Sequence, residues 1–106
     1  MEDRKMIFIS GKITGDDNYV EKFNKAKEKL KKLYPDYSII SPTDIDLIDV
    51  NYEKCLNITL NLVENCDIIY LLNDWFDSYG AKQEAIAAKY NDLEFLFESQ
   101  MGENND

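Results

Sequence analysis

The sequence predicts an α/β fold in which helices cover both faces of a parallel β-sheet. Strand-like and helix-like segments alternate along the 106 residues in the order β-α-β-α-β-α-β, which argues for parallel strands joined by right-handed crossovers. The run at 67–72 (DIIYLL) is almost wholly apolar, as expected of a central parallel strand buried on both faces. The length favours one domain, placed at 1–98, and the polar, acidic segment 99–106 is predicted to be a disordered tail.

The first predicted strand and helix are separated by a glycine-containing connection. The short apolar run at 5–10 (KMIFIS) predicts a buried strand. Asn18 precedes a helix whose apolar residues recur every three or four positions, and Glu21 follows Asn18 at the capping-box spacing. We expect this helix to end before Pro35, because proline cannot continue the backbone hydrogen bonding.

The second predicted helix has apolar residues on two sides. It follows a strand at 37–41 (YSIIS) and a loop, and it extends from about 52 to 65. Ile58 and Leu62 lie outside its main apolar stripe. A helix of this kind is usually buried on both sides, and in a chain this small the second contact is expected to be another copy of the chain.

A helix rich in small residues connects the last two predicted strands. It extends over roughly 79–91 and precedes a strand at 94–97 (EFLF). Ala81, Ala85 and Ala88 share one face of this helix. Small side chains on one face allow a helix to approach a sheet closely.

Charge and composition exclude several kinds of partner. The formal net charge is −9, so the chain should repel polymeric DNA and RNA. A small anionic ligand is still possible, because helix N-termini and backbone amides bind anions locally. The chain contains no histidine, which removes the commonest general base and the commonest metal ligand. Neither a metal nor a cofactor is therefore predicted.

The cysteines and the N-terminal segment favour a cytoplasmic protein. Cys55 and Cys66 are far from CxxC spacing and occupy apolar positions of the second predicted helix, as small buried residues do in a reducing compartment. The N-terminal apolar run is too short for a signal peptide, and no run approaches membrane-spanning length. We therefore expect no membrane partner.

Small and polar residues follow each predicted strand at its carboxyl end, where open α/β sheets bind ligands. Those after the first strand are Ser10, Gly11, Lys12, Thr14 and Gly15. The glycine spacing is neither that of a Walker P-loop nor G-x-G-x-x-G. A tight turn therefore explains this loop as well as a ligand site does.

Glu84 lies in the alanine-rich helix, at the edge of the face that the alanines share. A carboxylate near the start of this helix is expected to point toward the carboxyl ends of the strands. The alternative from the pattern alone is a partly exposed surface glutamate.

Two segments, MIFISGKITG at 6–15 and NCDIIYLLNDWFDSYGAKQEAIAA at 65–88, resemble the nucleoside 2-deoxyribosyltransferase-like family. The resemblance covers nearly the whole chain and is strongest to small bacterial and phage members. It implies a flavodoxin-like parallel sheet in the order 2-1-3-4 and a dimer or higher homo-oligomer. It also implies cleavage or exchange of the N-glycosidic bond of deoxynucleosides or deoxynucleotides.

The resemblance also implies roles for individual residues. Glu84 matches the nucleophile that attacks the anomeric carbon of the sugar. Ser78 matches a position that binds the 5′ side of the sugar or its phosphate. Trp75 either lines the base pocket or packs into the core. The remaining ligand-binding candidates are Phe8, Ser10, Gly11, Lys12, Thr14, Gly15, Thr59 and Gly80.

The chain departs from the family pattern at two positions. Phe8 stands where the enzymes often carry a tyrosine that hydrogen-bonds the nucleophile, and Thr59 stands where they carry an aspartate that helps to protonate the departing base. A threonine cannot be a general acid at neutral pH. Asp74 or Asp44 is the candidate substitute, because both should lie near the strand ends.

Three functions are consistent with the sequence. The first is a nucleoside deoxyribosyltransferase or nucleotide N-glycosidase with Glu84 as nucleophile. The second is a protein that binds a nucleotide or ADP-ribose-like ligand without turnover, such as a phage protein that sequesters a nucleotide signal. The third is an acidic interaction domain. Only the first two require Glu84 to face a cavity, and both predict that Glu84→Gln changes ligand handling while folding is nearly unchanged.

Overall fold

The computed structural model describes residues 4–45 and 50–101, and these residues form four strands and three α-helices. The elements in chain order are β1 (Met6–Ser10), α1 (Tyr19–Leu33), β2 (Ser38–Ile40), α2 (Tyr52–Glu64), β3 (Ile68–Leu71), α3 (Tyr79–Tyr90) and β4 (Glu94–Phe97). The predicted alternation of strands and helices is thus confirmed. Part of the predicted loop after β2 and most of the predicted tail lie outside the described residues.

The four strands form one parallel sheet in the order β2-β1-β3-β4. The predicted fold class and strand order are therefore confirmed. Every residue of β3 is buried, because β3 is a central strand with helices on both faces. Its register pairs Phe8 with Ile69 and Ile69 with Phe95, so alternate residues of neighbouring strands face the same layer.

The two faces of the sheet carry separate apolar clusters. On one face, α1 packs through Phe23, Ala26 and Leu30 against β1, β2 and β3. On the other face, α2 and α3 pack together against Phe8, Ile69 and Leu71. The site described below lies on the α2–α3 side, at the carboxyl ends of β1 and β3.

The start of α1 differs from the predicted capping box. The side chain of Asn18 makes no cap hydrogen bond, and its backbone torsions (φ −106°, ψ 21°) are not those of an extended cap residue. Its own N–H donates to the carboxylate of Asp16 instead, at 2.9 Å. A capping box does form after β2, where Ser41 Oγ accepts from Thr43 N–H and the Asp44 carboxylate accepts from Ser41 N–H.

The two apolar sides predicted for α2 are only partly separate. Leu62 is half-buried against the core on the α2–α3 side, whereas Ile58 is exposed. Beyond β4, Glu98–Gln100 forms a short 3₁₀ turn, and Met101 packs against the α1-side cluster. None of the helices found within residues 4–45 and 50–101 has the length and apolar character needed to cross a membrane.

Candidate active site

A cleft of about 1280 Å³ opens at the carboxyl edge of the sheet. Its walls are the loop after β1, the first turn of α1, residues from 42–45 together with Val50, the inner face of α2 and the first turns of α3. Such a crevice is where open α/β sheets bind ligands, because the carboxyl ends of neighbouring strands meet there. The volume is ample for a nucleotide-sized molecule.

Glu84 is a buried carboxyl group in the wall of this cleft. It lies in the second turn of α3, and only 7% of its surface is exposed. Ala81 and Ala85 are buried beside it, so α3 approaches the sheet closely and carries the carboxyl group inward. The expected position of Glu84 at the strand ends is therefore what the structure shows.

The surroundings of Glu84 bring the pKa of its carboxyl group close to neutral pH. Burial raises its pKa from 4.5 to about 7, and hydrogen bonds from Ser10 and Thr59 oppose this rise. The Ser10 hydroxyl donates to Oε1 at 2.6 Å. Near neutral pH the group is therefore divided between a carboxylate, which is a nucleophile or base, and a carboxylic acid, which is a proton donor.

Ser10 orients the carboxyl group, a role that the sequence analysis did not assign to it. Phe8 is fully buried in the core on the α2–α3 side and contributes no hydroxyl. Ser10 lies two residues further along the same strand and therefore on the same face. Alternate residues of a strand share a face, so the sequence could have indicated that Ser10 faces the same side as Phe8. Ser10 is the one of the two at the carboxyl end of β1, and it therefore reaches Glu84.

The loop after β1 is shaped by its two glycines. A Cβ atom at Gly11 would lie 2.7 Å from Leu72 Cδ1 and 2.9 Å from Leu72 Cβ, so a larger residue would force the loop away from the chain beyond β3. Gly15 has a positive φ of 84°, which favours glycine. Gly11, Lys12 and Thr14 line the cleft, whereas Gly15 does not.

The two candidate substitute acids are engaged in structural interactions outside the cleft wall. Asp74 accepts the backbone N–H of Lys12 at 3.0 Å and pairs with the ammonium group of Lys22. Asp44 pairs with Lys27 at 2.6 Å in addition to its bond with the Ser41 N–H. Neither carboxyl group is among the groups that line the cleft.

The remaining candidates divide between the cleft and the core. Trp75 packs on Phe97, with ring centroids 6.5 Å apart, and does not line the cleft. Ser78 and Gly80 do line it. Ser78 is also the N-cap of α3, because its Oγ accepts the N–H of Ala81 at 3.1 Å.

The cleft wall includes residues that were not candidates in the sequence analysis, among them Tyr52 and Asp77. Tyr52 is the first residue of α2, and it is more than half exposed at the mouth of the cleft. Asp77 is an exposed carboxylate at the rim, just before the start of α3. No group of three or more metal-ligating side chains occurs within the part of the chain that the structure describes.

Known proteins that resemble the chain identify its family and a similar fold. No curated protein matches the chain. Among solved structures, the 2-desoxiribosyltransferase from Leishmania mexicana is similar over 88% of this chain and 63% of its own, with 21% identity and a TM-score of 0.68. The chain thus spans less than two thirds of that enzyme's length, and the predicted resemblance is confirmed in the fold. Residues 5–97 match the family model described as a domain of unknown function, DUF4406, and the chain therefore belongs to the DUF4406 family.

Proposed function

We propose that the chain binds a nucleoside- or nucleotide-like ligand in the cleft, with the sugar against Glu84. The observation that carries this proposal is the buried Glu84 carboxyl group in the wall of a large cleft at the strand ends. A lone carboxyl group is costly to bury, so its place at a cavity favours a functional role over a structural one. The deoxyribosyltransferase of similar fold supports the same class of ligand.

The chemistry that we propose is nucleophilic attack at the anomeric carbon. An ionised oxygen of Glu84 forms a bond to that carbon while the bond to the base nitrogen breaks, and the base leaves with the electron pair. Water or a second base then attacks the same carbon and releases the carboxylate. The hydrogen bond from Ser10 holds the carboxyl group in place for this attack.

A ligand-binding protein without turnover is the second candidate, and the positions of the acids favour it. The departing base needs a proton, but Thr59 cannot supply one at neutral pH. Asp74 and Asp44 are held by lysine side chains outside the cleft wall, and Asp77 reaches the cleft only at its exposed rim. A protein with this pocket would retain a nucleotide or ADP-ribose-like ligand intact.

We also propose that the chain assembles as a homo-oligomer. The outer surfaces of α2 and α3 expose Ile58, Ile86 and Tyr90. Apolar side chains of this size on neighbouring helices favour contact with another apolar surface. A second copy of the chain supplies such a surface without any other partner.

The test is incubation of the purified protein with nucleosides, deoxynucleoside monophosphates and ADP-ribose. Bound and free fractions are separated and identified by chromatography and mass. Free base or an exchanged nucleoside that is lost in Glu84→Gln would establish the enzyme. A retained intact ligand, with retention changed in Glu84→Gln, would establish the binder.

The matched control is Glu64→Gln, since Glu64 is an exposed glutamate at the end of α2 and outside the cleft wall. It should behave like the wild type in every assay. If the wild-type protein neither retains nor alters any of these compounds, the proposed function is wrong and the interaction domain becomes the leading hypothesis.

A further inference from the structure

Tyr52 and Gly80 meet at the mouth of the cleft. Tyr52 is the first residue of α2, and its side chain lines the cleft while 53% of its surface is exposed. A Cβ atom at Gly80 would lie 3.1 Å from the Tyr52 hydroxyl oxygen and 3.8 Å from Leu56 Cδ1. Because Gly80 has no side chain, the Tyr52 hydroxyl can contact the first turn of α3.

The hydroxyl of Tyr52 keeps its proton at neutral pH and lies against the first turn of α3. Burial, together with the nearby charges of Glu84 and Tyr79, raises the pKa of Tyr52, and a hydrogen bond with the Gly80 backbone opposes that rise. A phenol hydroxyl can accept and donate hydrogen bonds at the same time, so the contact with Gly80 leaves the O–H group able to donate to a ligand.

We propose that Tyr52 determines ligand specificity by donating a hydrogen bond from its hydroxyl to an oxygen of the bound ligand, with Gly80 as the residue that makes room for it. The inference rests on the proposed function, since it places the same ligand in the same cleft. The acceptor is an oxygen of the sugar or of a phosphate. Both the phenol proton and the N-terminus of α3 present positive partial charge there, which favours an electron-rich oxygen.

The first test is the affinity of Tyr52→Phe, measured by isothermal titration. The probes are 2′-deoxyadenosine, 2′-deoxyadenosine 5′-monophosphate and ADP-ribose. Tyr52→Phe keeps the aromatic wall and removes one hydrogen bond, so we expect roughly fivefold to tenfold weaker binding. Loss for all bound probes alike identifies a sugar oxygen as the acceptor, and loss for only the phosphorylated probes identifies a phosphate oxygen.

A second variant separates binding from stability. Gly80→Ala places a methyl group 3.1 Å from the hydroxyl oxygen, so the hydroxyl must shift by a few tenths of an ångström, and binding should weaken but by less than in Tyr52→Phe. Alanine is also the better helix former at this position, so resistance to urea should be unchanged or higher. The double variant should bind no more weakly than Tyr52→Phe alone, because the position of the hydroxyl matters only while the hydroxyl is present.

The matched control is Tyr90→Phe, the same chemical change at a tyrosine that is 84% exposed and outside the cleft wall. It should bind like the wild type. If Tyr52→Phe also binds like the wild type while Glu84→Gln does not, the inference about Tyr52 is wrong and the proposed function stands. If the wild type binds none of the three probes, both are wrong.

Discussion

At the scale of single residues, the chain places its most consequential group, Glu84, where water cannot stabilise its charge. Burial raises the pKa of this carboxyl group to about 7, and the hydrogen bonds from Ser10 and Thr59 are too weak to reverse that rise. Replacing an ordinary surface glutamate would change stability very little. Glu84 is different, because its ionisation opposes folding.

The pH dependence of stability should reveal this opposition. The unfolded chain ionises Glu84 near its ordinary value of 4.5, whereas the folded chain retains the proton until about pH 7. Between these values the folded state binds more protons, so the free energy of unfolding falls as pH rises and then levels off. The total loss is on the order of 3 kcal/mol.

Glu84→Gln removes this loss while keeping an oxygen that accepts the Ser10 hydroxyl. We expect the variant and the wild type to be equally stable near pH 4 and the variant to be more stable above pH 7. Urea unfolding at a series of pH values measures the difference, and the other titrating groups cancel because both proteins share them. Parallel stability curves across the whole range would show that Glu84 is not buried as described.

At the scale of elements, the start of α3 combines a helix cap with a cleft wall. Ser78 accepts the N–H of Ala81, which satisfies one of the free donors of the first turn. The same residue lines the cleft together with Gly80. Removing its side chain would therefore change stability and ligand binding together, and a single alanine variant cannot separate the two effects.

Two substitutions at Ser78 separate these roles. Ser78→Ala should lower the free energy of unfolding by about 1 kcal/mol, because it removes the cap. Ser78→Asp keeps a capping oxygen and places a negative charge at the positive end of the helix, so it should restore that stability. The same charge should weaken binding of 2′-deoxyadenosine 5′-monophosphate roughly tenfold and leave 2′-deoxyadenosine little affected.

Urea unfolding and isothermal titration check both parts of this prediction. Equal binding of the phosphorylated compound by Ser78→Asp and the wild type would mean that no phosphate approaches the start of α3. Ser78 would then be a structural cap alone, and the phosphate would have to lie elsewhere in the cleft.

At the scale of the whole molecule, the two helical layers expose different kinds of surface. α1 carries much of the positive charge of a chain whose net charge is −9, with lysines such as Lys25, Lys31 and Lys32 on exposed positions. α1 also exposes Val20 and Leu33. The layer of α2 and α3, however, exposes Ile58 and Ile86 among fewer charged side chains. Self-association is therefore expected through the α2–α3 layer, where less charge must be desolvated.

A charged substitution in this layer should dissociate the oligomer. We expect the wild type to sediment as two or more chains and Ile58→Glu to sediment as one, because burial of an unpaired carboxylate opposes the contact. Leu33→Glu, at an exposed position on the opposite layer, is the control and should leave the assembly unchanged. A wild type that sediments as a monomer would contradict the proposed assembly.

The sequence by itself determined the fold of this protein. Two features of the sequence are sufficient to predict a parallel sheet: strand and helix patterns alternate, and β3 is one continuous apolar run. Both features can be recognised from residues that are neighbours along the chain. The strand order 2-1-3-4 came from the family resemblance and is confirmed. The pattern of one helix face allowed Glu84 to be either at the sheet edge or on the surface, and the family resemblance favoured the sheet edge, where the structure places it.

Only the tertiary structure decided which side chains meet at the cleft. Ser10 reaches Glu84 across 74 positions of sequence, and Tyr52 reaches Gly80 from another helix, so no local pattern connects either pair. Asp74 and Trp75 lie shortly after β3, at the start of the 3₁₀ turn Trp75–Asp77. There, Trp75 packs on Phe97 and Asp74 pairs with Lys22. Local sequence sets the direction of a helix or strand, but contacts between distant segments depend on how those elements pack.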